Sequence, residues 1–179
     1  MASKIKVDQI QTADGTGTIA LQNQLSGMTT ASLPTVTTDK LGTGAVLQVV
    51  QHRTSSASST TSTSYVSTGF TGTITPSSTS SKILITGTAI VRNGSSSGNY
   101  QHTIYRGSTN LAPVATRGLA QVTFFGDEGD CVPTLMYLDS PSTTSQITYT
   151  WYHKSENGNT CTFAIDSSYA QLTLMEIAG

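Results

Sequence analysis

From Ala45 to the end, short stretches that alternate apolar and polar residues are separated at regular spacing by clusters of Gly, Ser, Asn, Asp and Pro. Alternation with a period of two puts successive side chains on opposite faces of a strand, whereas an amphipathic helix needs a period of 3.6. Closely spaced strands with turn residues between them give an antiparallel sandwich or jelly roll, not a parallel sheet with crossing helices. The stretches are Val46–His52, Tyr65–Ile74, Lys82–Arg92, Asn99–Arg106, Ala120–Phe125, Cys131–Leu138, Gln146–His153, Cys161–Ile165 and a closing strand through Leu172 and Ile177. The expectation is about eight strands, the number a jelly roll uses. The Ser/Thr run from Thr54 to Ser64 is too polar for a core and too β-branched for a helix, so it reads as an exposed loop or sheet edge.

Several of these strands are apolar on both sides. Lys82–Arg92 places Ile83, Ile85, Gly87, Ala89 and Val91 on one face and Leu84, Thr86, Thr88 and Ile90 on the other. Cys131–Leu138 alternates Val132, Met136 and Leu138 with Leu135 and Tyr137, and the closing strand alternates Leu172 and Leu174 with Met175 and Ile177. An isolated antiparallel sandwich buries one face of each strand and wets the other, so a second covering surface is required. A subunit interface supplies it, and an obligate oligomer is expected; a covering loop or the docked N-terminal segment would give the same periodicity.

Residues 1–44 differ from the rest. Lys4–Ile10 alternates as a short strand, Asp14–Gly17 turns the chain into Thr18–Leu21, and Leu25–Gly44 is loop-like. The segment has too few apolar residues for a core of its own. As an extended arm it must dock on the 45–179 sandwich, on sister chains or on a larger assembly.

Composition narrows the function. Charged residues are 11% of the chain, the net charge is −1 and Lys plus Arg number 9, which gives no basic stripe for phosphate and argues against a nucleic-acid partner. With 36% hydrophobic residues and so little net charge, the Ser/Thr abundance signals strands and turns in place of disorder. No window approaches the roughly 18 apolar residues of a membrane span, and the first ten residues do not build a signal-peptide core, so a soluble product of the cytosol with no membrane insertion is expected. Cys131 and Cys161 have no CxxC partner or clustered His and are expected as two buried free thiols.

Catalytic signals are sparse. His52, His102 and His153 fall on separate strands, with no paired nucleophile or carboxylate motif beside them, and the abundance of Ser follows from composition. No catalytic, cofactor-binding or metal-binding residue is assigned. Asp127-Glu128-Gly129-Asp130 offers carboxylates near a glycine turn, as a calcium ion would want, but without EF-hand spacing it reads as a solvated hairpin tip. Trp151, Tyr149, Tyr152 and Tyr105 could stack on a sugar, although the position of Trp151 inside a strand favours core or interface packing. The loops at 93–99 and 155–159 are the better placed ligand contacts.

Four segments resemble virion structural, tail-fibre-like proteins of tailed bacteriophages. They are Lys4-Ile5-Lys6-Val7-Asp8 with Gly17-Thr18-Ile19, Ile74–Leu84 with its Pro76–Ser81 turn, Leu138-Asp139-Ser140-Pro141, and Leu174-Met175-Glu176-Ile177-Ala178. The resemblance implies a jelly-roll knob similar to the tumour-necrosis-factor-like modules that assemble as homotrimers, with residues 1–44 engaging other capsid or tail proteins of the particle. The chain lacks a heptad shaft and β-helix repeats, so a head fibre, capsid decoration or short tail appendage fits better than a long spike. Three roles follow as expectations for a protein assembled in the host cytoplasm and carried on the virion. They are a non-enzymatic fibre touching a host surface glycan, a decoration protein cementing the head, and a polysaccharide depolymerase, which would need paired carboxylates about 5–10 Å apart.

Overall fold

The computed structural model describes residues 41–179 apart from 95, 96, 115, 127, 128, 166 and 167. The expected Lys4–Ile10 strand and nearly all of the 1–44 arm therefore lie outside the described residues. The described chain is all-β, with no helix and hence none able to cross a membrane. Its strands are β1 (Val46–Thr54), β2 (Ser58–Thr60), β3 (Val66–Ile74), β4 (Lys82–Thr88), β5 (Val91–Asn93), β6 (Gly98–Arg106), β7 (Thr109–Asn110), β8 (Ala120–Phe124), β9 (Gly129–Cys131), β10 (Thr134–Asp139), β11 (Ile147–Ser155), β12 (Cys161–Phe163) and β13 (Ala170–Ile177).

Nine of them make the sandwich. The front sheet runs β1-β13-β4-β10, and the back sheet runs β3-β11-β6, with β7 and β8 sharing the far side of β6. All pairs are antiparallel, and the chain passes repeatedly from one sheet to the other in a jelly-roll-like order. The inward rows are Val50, Leu174, Ile85 and Tyr137, then His52, Leu172, Gly87 and Leu135, on the front sheet. They meet Phe70, Ile74, Tyr100, Ile104, Tyr149 and Trp151 from the back sheet. Gly87 is a packing requirement, because a Cβ there would sit 2.6 Å from the Trp151 ring.

The remaining four-stranded sheet has the order β2-β12-β5-β9. Each member is the chain neighbour of the strand at the same place in the front sheet: β2 follows β1, β12 precedes β13, β5 follows β4 and β9 precedes β10. The small sheet thus continues the front sheet distally across one transverse break. Lys82–Arg92, expected as a single strand, is divided by this break at Ala89 and Ile90, and Cys131–Leu138 is divided at Val132 and Pro133. Ala164, with φ +52°, turns the returning chain, and its N–H bonds the Ile90 carbonyl at 2.9 Å. The alternation of buried residues continues through the break, which is why periodicity alone did not mark it.

Polar clamps join the sheets at their margins. The Asp139 carboxylate of β10, nearly buried, accepts from Arg106 of β6 at 2.8 Å and from the Tyr149 hydroxyl of β11 at 2.7 Å. Glu176 of β13 accepts from Gln48 at 2.6 Å and from the Ser77 N–H and hydroxyl at 2.7 Å, which hold its carboxyl below the usual range against the opposing pull of burial. On β1 the His52 Nε2 accepts from the Thr73 N–H at 3.0 Å.

Candidate functional site

The outward face of the front sheet carries the least ordinary feature of the surface. Register aligns Val49, Met175, Leu84 and Leu138 across all four strands, one residue from each. Directly opposed side chains in neighbouring strands lie about 5 Å apart, so the four form one continuous apolar row. Val49 is 57% exposed, Leu138 is 48% and the adjacent Met136 is 69%. Below the row lie Val46 and Ile177 beside Lys82. Above it the face becomes polar: Gln51, Thr173 and Thr86 with Met136, then Arg53, Gln171, Thr88 and Thr134. The distal sheet completes the trend with Ser59, Thr162, Arg92 and Asp130. Ser59 and Thr162 share a hydrogen bond at 2.9 Å, and Arg92 grips Asp130 through Nε and Nη2 at 2.7 and 3.0 Å.

The face is therefore apolar near the end where the described chain begins and polar at the other. A cleft of about 330 Å³ opens at that proximal end between Leu41, Leu47, Ser77, Ser80, Ala178 and Gly179.

The expected chemistry-bearing residues disperse. His52 serves the β1–β3 clamp. His102 and His153, by contrast, are both fully buried and pack with Tyr100, Trp151 and Phe163. The Trp151 indole N–H donates to His102 Nδ1 at 3.1 Å, which places the ring hydrogen on Nε2, a buried atom without a protein partner. His153 Nδ1 bonds the Tyr100 hydroxyl, and its Nε2 lies 3.5 Å from Ser58 Oγ. Burial depresses His102 to about 3, with His153 contributing, and His153 to about 4, while it raises Tyr100 well above the ordinary phenol range. The pair belongs to the core.

Of the acidic loop, Asp127 and Glu128 lie outside the described residues, and Asp130 is held below its ordinary range by the Arg92 hydrogen bond. Among the described residues no three His, Cys, Asp or Glu side chains gather as metal ligands. Cys161 is a buried free thiol as expected, but Cys131 is only half-buried, because β9 lies on the sheet edge beyond β5.

The four aromatic candidates separate by alternation. Tyr149 and Trp151 point into the core with no exposure, while Tyr152 and Tyr105 lie on the outer face of the back sheet with centroids 4.0 Å apart and planes at 28°. Tyr65, which sequence reading treated only as the start of a strand, joins them edge-on at 6.5 Å, and Lys154 Nζ lies 4.8 Å over its ring. Loops 93–99 and 155–159 come together. Asn99 N–H donates to Asn157 Oδ1 at 3.3 Å, the Glu156 N–H donates to the Asn99 carbonyl at 2.9 Å, and Asn159 donates to the Ser97 carbonyl at 3.2 Å.

No protein-family model matches the chain, and no curated protein sequence matches it.

Proposed function

We propose that this chain is a non-enzymatic structural protein of a bacteriophage particle, a short fibre or appendage that assembles as a homotrimer through the front sheet and is attached by residues 1–44 to other virion proteins. The observation that carries the reading is the apolar row Val49, Met175, Leu84 and Leu138, set on a sheet whose other face already fills a core. Burying such side chains releases roughly 25 cal/mol for each Å² of apolar surface removed from water. A patch of this kind on a β-sandwich is a place for protein to cover. The resemblance of the quoted segments to tail-fibre-like proteins supplies the particle and the trimer.

The test is the solution mass of the purified full chain by light scattering, beside a Leu138→Asp variant. A trimer that falls to monomer in the variant is expected. A wild-type monomer overturns the reading. Capsid decoration is the second reading, favoured by the apolar end of the face lying at Val46, where the chain enters the sandwich from residues 1–44. Particles lacking the protein would then burst at lower temperature, whereas a fibre's absence would lower host adsorption and leave the head's thermal stability unchanged.

A further inference from the structure

We propose that the outer face of the back sheet binds an acidic glycan, with a pyranose ring resting on the Tyr105–Tyr152 pair and a carboxylate meeting Lys154. The inference rests on the appendage reading, because a shallow platform of this size gains useful strength only when many copies are displayed together.

Most of this face is hydroxylic. Ser67, Thr71, Thr73, Thr148, Thr150 and Gln121 point outward along it, and the three tyrosines stand apart as its aromatic group among the described residues. They are half-buried, with no part in the core between the sheets, so sandwich stability does not explain them. A pyranose presents an apolar face of C–H groups and a rim of hydroxyls. The outer side of the stacked phenol pair, beside Ser and Thr hydroxyls, matches both parts.

Charge selects the class of sugar. Lys154 lies above the Tyr65 ring, and Arg117 is exposed next to Gly118, where a Cβ would lie 2.5 Å from the Tyr65 hydroxyl. The nearby described carboxylate, Glu156, is held by the Asn99 amide at the loop end, two residues from Lys154. The local field at the rings is therefore cationic, which favours a uronic-type sugar over a neutral one.

The experiment titrates the full-length chain with oligogalacturonate, with alginate oligosaccharides and with maltodextrin, followed by calorimetry and saturation-transfer NMR. Binding of an acidic oligosaccharide, weaker or absent for maltodextrin, is expected. Tyr152→Ala should weaken it about tenfold, the scale of one lost ring contact. Lys154→Gln should abolish the preference for acid over neutral sugar and flatten the salt dependence. Lys154 is at the surface, so this variant keeps the test alive if Tyr152→Ala misfolds.

No binding of either acidic probe, equal affinity for maltodextrin, or full affinity in Tyr152→Ala with an unchanged melting temperature overturns the proposal. Light scattering on the same samples separates the two readings. A monomer that binds acidic sugar defeats the appendage and not the site, and a trimer that binds none defeats the site alone.

Discussion

His102 and His153 show how a single buried side chain converts into a measurable property. Both are neutral in the folded protein because burial depresses them to about 3 and about 4, whereas the unfolded chain titrates them near the ordinary value of about 6.5. Below that value the unfolded state binds more protons, so stability is complete above it and is lost as pH falls toward the folded values. Each residue contributes a slope approaching about 1.4 kcal/mol per pH unit in that window. Denaturant titrations at fixed protein concentration should show unfolding midpoints unchanged from pH 8 to 7 and falling steeply from pH 6 to 4.5, with a shallower fall in His102→Leu. A second residue-scale test is Gly87→Ala. The added methyl would lie 2.6 Å from the Trp151 ring and 3.2 Å from the Gln171 carbonyl, and overpacking of this kind costs about 1–3 kcal/mol, read as a lower melting temperature. Neither kind of residue was legible as special in the sequence, since a His or a Gly within a strand has many possible meanings until the facing ring is known.

At the scale of the strand, legibility depended on alternation. The period of two correctly assigned the inward set Ile83, Ile85, Gly87, Ala89 and Val91 and left Leu84 facing out. Applied to 149–153, the same rule separates Tyr152 from Tyr149 and Trp151, so treating these rings as one platform overlooked information already in the sequence. Alternation says nothing about where a strand bends, and the breaks at Ala89–Ile90 and Val132–Pro133 passed unnoticed because inward and outward positions continue across them. The Ser/Thr run, read as loop or edge, contains β2, the edge strand of the distal sheet. The clamps between sheets were also hidden, since Asp139 meets Arg106 and Tyr149 only once β6, β10 and β11 are folded. Removing that carboxylate leaves a guanidinium and a buried phenol hydroxyl without their shared acceptor. Asp139→Ala should therefore destabilise by about 2–3 kcal/mol and Tyr149→Phe by about 1, measured by urea unfolding.

The whole molecule is asymmetric along the front sheet, and this asymmetry separates assembly from folding. If copies meet on that face, the driving force is concentrated in the row Val49, Met175, Leu84 and Leu138, while the rows through Thr88 and Arg92 present hydroxyls and a satisfied ion pair that lose little by staying in water. The same charge should therefore have opposite consequences at the two ends. Met175→Lys places an ammonium within the apolar row, where burial against another copy would leave it unpaired, and dissociation is expected at micromolar protein. Thr88→Lys adds the same group two rows away, among Arg53, Gln171 and Thr134, where solvent can keep it hydrated. Both positions face outward, so each variant should retain the fold, with circular dichroism and melting of the monomeric state close to wild type. Sedimentation velocity reads the difference: assembly lost in Met175→Lys and kept in Thr88→Lys places the contact at the proximal row. Loss in both would spread it over the whole sheet, and loss in neither would move it to another surface and leave the apolar row as the seat of a different protein. Removal of residues 1–44 should leave the assembled mass in proportion, because every member of the row lies within 45–179.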